Sequence, residues 1–432
     1  MSLAALTELA PERVAGRPAG ITSVCSAHPL VLRAALRAGV ETGAPVLIEA
    51  TCNQVNHLGG YTGMTPQDFA NLVFSLAAQE GCPPELIILG GDHLGPNPWR
   101  DQPAEDAMAE AEKMIAAYVA AGFRKIHLDA SMGAKGEPEA LDDETTALRA
   151  ARLAGVAERS ARAMGGAMPL YVIGTEVPPP GGADHALDAI TPTSPEAARR
   201  TLDIHRRTFA DAGLTGALDR VIAVVVQPGV EFGNQNVVTY RPDLAAPLAA
   251  VLTGVPGLVF EAHSTDYQGP AALSDLVADG FAILKVGPEL TFVLREALYA
   301  LDLIASDLEP DYGDRPLMAV MEAEMLAQPG HWQRHYPGDT AAQHLLRHYS
   351  LSDRIRYYWP TEAAQAAVAR LFATLAGQGI PLPLIRQHMP AAAALADTPF
   401  NPEEAVIQWV GRSLDSYHAA CRAGAAPDYS GA

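Results

Sequence analysis

The chain is poor in basic residues. Lys and Arg total 30 against 50 Asp and Glu in 432 residues, a formal net charge of −20. Nucleic-acid binding needs a basic face for phosphates, and docking on anionic lipid needs one too, so neither is expected. Cysteine is scarce as well. The four thiols, Cys25, Cys52, Cys82 and Cys421, lie far apart with no CxxC pair. That excludes a zinc ribbon, and sparse thiols suit a reducing, cytoplasmic setting. No run of about 18 apolar residues occurs, so no membrane span is expected. The N-terminal MSLAALTELAPERVAG lacks a basic start followed by an apolar run, so no signal peptide is expected either. Two glycine motifs are missing. Cys25-Ser26-Ala27-His28-Pro29 stands where a dinucleotide fold carries GxGxxG, and no GxxxxGK[ST] appears, which disfavours a P-loop kinase. Hydrophobic residues reach 49%, which rules out disorder as the main state.

What is present is a rhythm. Eight short apolar runs begin at residues 21, 46, 86, 125, 170, 221, 258 and 282. Helical patterns separate them. One opens at Thr65 with Pro66 and Asp68, a capping-box signature; another opens at Ser194 with Pro195 and Glu196. Gly122 and Gly213 follow the ends of two helices, as C-cap glycines do. Continuous apolar strands alternating with capped helices predict a parallel sheet covered on both faces. Eight such units predict an α/β fold of the (β/α)8 TIM barrel type over residues 1–307. Beyond 307 the rhythm stops, and residues 308–432 read as a helical extension packed on the barrel.

In such barrels the active site forms where strands end. Here nearly every run ends in polar or ionisable residues. They include Cys25, Glu49, Asn53, Asp92, His93, His127, Asp129, Glu176, Gln227, Glu231, Glu261, His263, Asp266 and Lys285. Burying unpaired charge is costly, so this convergence points to a small-molecule site. Any single member also reads as a rim residue bonded to a loop, and His127 as a buried, satisfied histidine. Adjacent strand residues point apart, so of Asp92 and His93 one suits a metal while the other faces substrate as a base. His93 and His263 are the candidate metal ligands, with Glu176 as a third, oxygen ligand. Such a set, with open positions, suits hydrolysis or enolate stabilisation. Asp92, Glu176 and Asp129 are the candidate catalytic carboxylates. Glu49, Asn53, Gln227, Lys285, Gly287 and Arg354 are the candidate substrate contacts. Lys285 and Gly287 enter the last barrel helix, whose N-terminus suits a phosphate. The Arg- and aromatic-rich stretch SLSDRIRYYWP (350–360) suits a partner anchor, a fold of Arg354 or Arg356 over the mouth, or plain aromatic packing.

Longer motifs carry a resemblance. SVCSAHPLVLRAAL (23–36), LIEATCNQVNHLGGYTGMTPQDF (47–69), LGGDHLGPNPW (89–99), GFRKIHLDASM (122–132), EAHSTDYQ (261–268) and FAILKVGPELTFVLREA (281–297) resemble the accessory subunits of tagatose-1,6-bisphosphate aldolase, the GatZ/KbaZ family. YVIGTEVPPPGG (171–182), VVQPGVEF (225–232) and SLSDRIRYYWP extend the resemblance over nearly the whole chain.

The resemblance implies kinship with class II ketose-bisphosphate aldolases, metal-dependent (β/α)8 barrels. It assigns Asp92 as acid/base, His93 and His263 as ligands of a divalent metal, zinc by implication, and Lys285-Val286-Gly287 to the substrate phosphate. At strand six Gln227 stands where that pattern has a ligand histidine, which weakens or alters the metal site. The implied role is that of a non-catalytic subunit that stabilises and activates a class II aldolase catalytic subunit in ketose-phosphate catabolism; a homo-oligomer is compatible with it. The alternative is a stand-alone metal-dependent aldolase, isomerase or ketose 4-epimerase, with Asp92 and Glu176 moving protons. Relatives have also been labelled tagatose-6-phosphate kinase, for which the sequence offers no phosphoryl-transfer motif.

Overall fold

In the computed structural model, which describes residues 3–174 and 190–422, the apolar runs become parallel strands. They are β1 Ile21–Val24, β2 Val46–Thr51, β3 Ile87–Leu94, β4 Lys125–Leu128, β5 Leu170–Ile173, β6 Val221–Val225, β7 Val259–Ala262 and β8 Phe281–Val286. The order β1-β8-β7-β6-β5-β4-β3-β2 closes on itself. The protein is a (β/α)8 barrel. Its strands are mostly apolar because helices cover the outside and side chains fill the inside.

The return helices are α1 Pro29–Thr42, α2 Pro66–Glu80, α3 Ala104–Ala120, α4 Asp143–Met164, α5 Pro195–Asp211, α6 Pro242–Ala249, α7 Pro270–Ala278 and α8 Pro288–Leu308. Their ends follow local chemistry. The Thr65 hydroxyl accepts from the Asp68 N–H while the Asp68 carboxylate accepts from the Thr65 N–H, a complete capping box. Ser194 Oγ accepts from the Ala197 N–H at 3.1 Å. Losing such a cap typically costs about 1 kcal/mol. Gly122 and Gly213 take positive φ, 94° and 71°, just past α3 and α5.

Two hydrophobic clusters divide the core. One lies between strands and helices. The other fills one end of the barrel with Leu47, Ile88, Val172, Ile222, Val259 and Ile283. Leu6, Leu9 and Ala10, from short helices at Ala4–Thr7 and Leu9–Val14, join this second cluster and plug that end. The opposite end holds the charged strand termini, so the barrel interior is apolar at one end and polar at the other.

The chain continues as α9 Pro316–Ala327, α10 Thr340–Tyr349, α11 Glu362–Leu375, α12 Leu382–His388 and α13 Pro402–Arg422. Helix α13 packs against α1, α7 and α8. Its Tyr417 Oη lies 2.8 Å from both Thr265 O and Glu289 Oε2, bracing the loop after β7. The turn at Arg354–Tyr357 and Trp359 reach the barrel mouth, where Trp359 meets His28 edge-on at 6.4 Å. After β6 the chain forms a small antiparallel hairpin, Glu231–Phe232 with Val237–Val238, which the sequence rhythm did not suggest. Among the described residues no helix is long and apolar enough to cross a membrane.

Candidate active site

Strand register builds the floor of the mouth. Glu49 on β2 pairs with Gly90 on β3, and Gly90 with Lys125 on β4. A Cβ on Gly90 would come within 2.8 Å of Glu49 Cγ, so only glycine leaves room between the two charges. Lys125 Nζ then reaches Glu49 Oε1 and Glu261 Oε2, each at 2.6 Å. From β8, Lys285 Nζ reaches Glu49 Oε2 at 2.5 Å and Asp92 Oδ1 at 2.7 Å. These groups are buried, and each ion has two or more partners, which is the condition for tolerating buried charge. Burial pushes the Glu261 pKa up, but Lys125 and Lys285 outweigh it and hold it well below the carboxylate range. Burial likewise disfavours charge on Lys285, yet Asp92 and Glu49 keep it firmly protonated.

Above this floor β3 bulges. The register between β3 and β4 shifts between Gly91 and Leu94, and His93 adopts φ 48°, in the left-handed region uncommon for residues other than glycine. Strand alternation alone would send Asp92 and His93 apart. The bulge and the left-handed residue cancel that alternation, and both side chains face one cluster, with His93 Nε2 3.7 Å from Asp92 Oδ2. The His93 N–H, freed from the ladder, donates to His127 Nδ1 at 3.2 Å. His127 Nε2 donates to Gly174 O at 3.1 Å. His93 Nδ1 donates to Asp129 Oδ2 at 2.8 Å, and Ser131 Oγ donates to Asp129 Oδ1 at 2.8 Å. His263 Nε2 donates to Glu261 Oε1 at 3.0 Å.

The outcome is a triangle of imidazoles. Ring centroids of His93, His127 and His263 lie 4.8, 5.0 and 5.2 Å apart. Burial holds His263 neutral, with its pKa down at about 3. Burial opposes ionisation of Asp92, but His93 and Lys285 outweigh it and keep the carboxylate charged. Burial also opposes a proton on His93, but Asp92 and Asp129 raise its pKa.

These residues fit a divalent cation. The four carboxylates of Glu49, Asp92, Asp129 and Glu261 face two ammonium groups, leaving an excess of negative charge in a buried space. Ligand atoms of Asp92, His127, Glu261 and His263 lie within 4.8 Å of one another. His93, braced through Nδ1 by Asp129, keeps Nε2 available, the usual carboxylate–histidine brace behind a metal ligand.

Over residues 6–422 the sequence matches the model of the family described as D-tagatose-1,6-bisphosphate aldolase subunit GatZ/KbaZ-like. The chain belongs to this family. This GatZ/KbaZ-like protein is 61% identical over 417 residues to D-tagatose 6-phosphate 4-epimerase of Agrobacterium fabrum (strain C58 / ATCC 33970), covering 96% of the chain and 98% of the relative. It is 52% identical to a crystal structure described as a probable tagatose 6 phosphate kinase from Sinorhizobium meliloti 1021, with a TM-score of 0.85 over 93% of this chain and all of that one. Family and relative place it among proteins of carbohydrate metabolism related to tagatose-bisphosphate aldolase.

In this GatZ/KbaZ-like chain Asn53, Asp92, His93, Asp129, His263, Lys285 and Gly287 line a cavity of about 1530 Å³ at the barrel mouth. Asp129 is turned onto His93 and Ser131, so its carboxylate positions the histidine. Glu49 lies beneath the cavity floor, sealed behind Lys285, and does not reach the lining. Gln227 is buried off the wall, because its Oε1 accepts the N–H groups of Gly229 and Val230 at 2.8 and 3.0 Å. Arg354 does not line the cavity either; the turn presents Arg356 instead.

The phosphate expectation at the last helix meets an obstacle. Asp266 Oδ1 accepts the N–H groups of Gly287 and Glu289 at 2.9 and 2.8 Å, closing that helix end to an anion. Lys285 is already shared between Glu49 and Asp92. Glu176, Gly181 and Gly182 lie outside the described residues. Sequence reasoning assigned no role to Lys125. Its signal was a lysine opening the fully buried KIHL strand, level with Glu49 across Gly90.

Proposed function

We propose that this chain is itself an enzyme, a ketose-phosphate 4-epimerase acting on D-tagatose 6-phosphate or a closely similar ketohexose phosphate. One observation carries the reading: a charged Asp92 faces an ample cavity beside three imidazoles, an outlay of buried charge that a purely structural subunit does not need. The 61% identical relative carries that activity in its name.

The chemistry follows from the substrate. The ketone at C2 acidifies the C3 hydrogen, not the one at C4. Inversion at C4 therefore goes readily by retro-aldol cleavage. Asp92 removes the C4 hydroxyl proton as the C3–C4 bond breaks, giving a three-carbon enediolate and a three-carbon aldehyde phosphate. The aldehyde turns its other face, the bond re-forms, and Asp92 returns the proton. No net oxidation occurs. His93 and Lys285 keep Asp92 ionised, and Lys285 holds it in position. The cavity holds both fragments and keeps the enediolate from bulk water. A divalent cation held by His93 and His263, with Asp92, His127 or Glu261 nearby, would supply Lewis-acid polarisation of the carbonyl; zinc suits this nitrogen-rich set.

The test is turnover by the purified chain alone, followed by NMR as D-tagatose 6-phosphate converts to its C4 epimer, D-fructose 6-phosphate. The family description favours a second reading, an accessory subunit of a class II aldolase catalytic chain. That reading requires no turnover alone and a gain in activity of a co-expressed aldolase.

A further inference from the structure

The proposed substrate carries a phosphate, yet the usual barrel position for one is closed by Asp266, and Lys285 is committed to carboxylates. The C-terminal extension supplies another cation. Arg356 lies on the cavity wall, partly buried. Its Nη1 donates to Asp353 O at 2.9 Å and its Nη2 to Tyr357 Oη at 3.3 Å. The guanidinium carbon sits 4.8 Å from the Tyr357 ring centroid, and that ring meets Tyr61 edge-on at 4.7 Å. The hydrogen bonds of this guanidinium thus go to neutral atoms, and the Asp353 carboxylate acts on it through space only. The carboxylate of Asp353 pairs with Arg295 instead, Nε to Oδ1 at 3.2 Å. Arg334 lines the same cavity, acts with Arg356 on Tyr357, and its Nε donates to His335 Nε2 at 2.9 Å. Among the described residues neither Arg356 nor Arg334 has a carboxylate partner. In a chain of net charge −20, two guanidiniums without a carboxylate salt bridge on the lining of one cavity mark a place for an anion.

We infer that Arg356, supported by Arg334, binds the phosphomonoester of the substrate, so that the extension after the barrel carries the phosphate subsite. This rests on the reading above for the sugar attached, but not for the phosphate itself. Arg100, also on the wall, is exposed and stands beside Asp101, which the cavity shares. It serves as the control.

The experiment is calorimetric titration of the purified full chain with inorganic phosphate, then with D-tagatose 6-phosphate and with free D-tagatose. Loss of one charge-assisted pair weakens binding about 10- to 100-fold. Arg356→Gln is expected to weaken both phosphate ligands by that factor. Arg356→Lys, a point charge without the fork, should weaken them less, and Arg334→Gln should act in the same direction. Near-wild-type circular dichroism and unfolding midpoint identify folded variants, and Arg334→Gln carries the test if Arg356→Gln does not fold. Wild-type phosphate affinity in folded Arg356→Gln, loss in Arg100→Ala instead, or no phosphate binding by the wild type would each overturn the inference. Arginine-dependent phosphate binding without epimerisation would leave this subsite standing and remove the proposed reaction.

Discussion

Lys285 Nζ lies 2.7 Å from Asp92 Oδ1 and 2.5 Å from Glu49 Oε2, so one ammonium joins a carboxylate facing the cavity to one sealed beneath it. The reactive group and the structural floor share a single cation. Glu49 keeps both Lys285 and Lys125 as partners when Asp92 loses its charge, so reactivity and stability can be disturbed separately.

Asp92→Asn keeps the size and some hydrogen bonding of the side chain but cannot take a proton. It is expected to lower kcat for D-tagatose 6-phosphate by about 10²–10⁴-fold, with the unfolding midpoint little changed. The NMR assay and a thermal melt check both halves. A variant that turns over at the wild-type rate would remove Asp92 from the chemistry. If the chain acts only as an accessory subunit, the variant should still activate a co-expressed aldolase.

Lys125→Met leaves Glu49 and Glu261 buried with Lys285 as their remaining ammonium. Breaking a buried ion pair from one side typically costs about 3–5 kcal/mol. Urea unfolding is expected to show a loss of that order, or failure to accumulate folded protein. Lys125 is fully buried and does not line the cavity, so the effect should appear in stability before it appears in substrate affinity.

Metal content provides the next check. His93→Ala and His263→Ala are expected to strip a bound divalent cation from the purified protein, as read by plasma mass spectrometry. Asp129→Asn touches no metal on this reading, yet it loosens the brace on His93 and should weaken metal affinity about 10- to 100-fold. Unchanged metal content in both histidine variants would place any cation elsewhere.

Asp266 carries a pH signature. Burial, with the nearby Glu289 charge adding to it, pushes its pKa up to about 7. An unfolded Asp titrates near about 3.9. Between those values the native state binds the extra proton, so this group's contribution to stability falls as pH rises and is fully lost above about 7. Asp266→Asn keeps an oxygen for Gly287 and Glu289 and removes the ionisation. The variant should therefore gain on the wild type as pH goes from about 5 to 8. Urea unfolding at both pH values measures it; a gain that shrinks with rising pH would contradict the assignment.

Much of the barrel was legible in the sequence. The eight apolar runs and the caps at Thr65 and Ser194 are local signals, and local backbone chemistry decides strands and helix ends. The strand-end rule also brought Asp92, His93, His263 and Lys285 into one mouth, since a closed barrel gathers its strand ends whatever their spacing in the chain. Gln227 and Arg354 were expected at the cavity, but one loop and one turn direct them elsewhere. Such turns are set by which backbone groups need partners, and that information is not local.

By itself the sequence determined the architecture and the chemical inventory of the mouth, because period and composition fix which residues lie at strand ends. Only the tertiary structure decided what those residues do to one another. The register that sets Gly90 between Glu49 and Lys125 admits the buried charge lattice. The bulge at His93 turns neighbouring side chains to the same face. The extension brings Arg356 to a wall more than two hundred residues along the chain from Asp92. Each depends on through-space distances between segments remote in sequence, where a shift of one residue would reverse which groups meet.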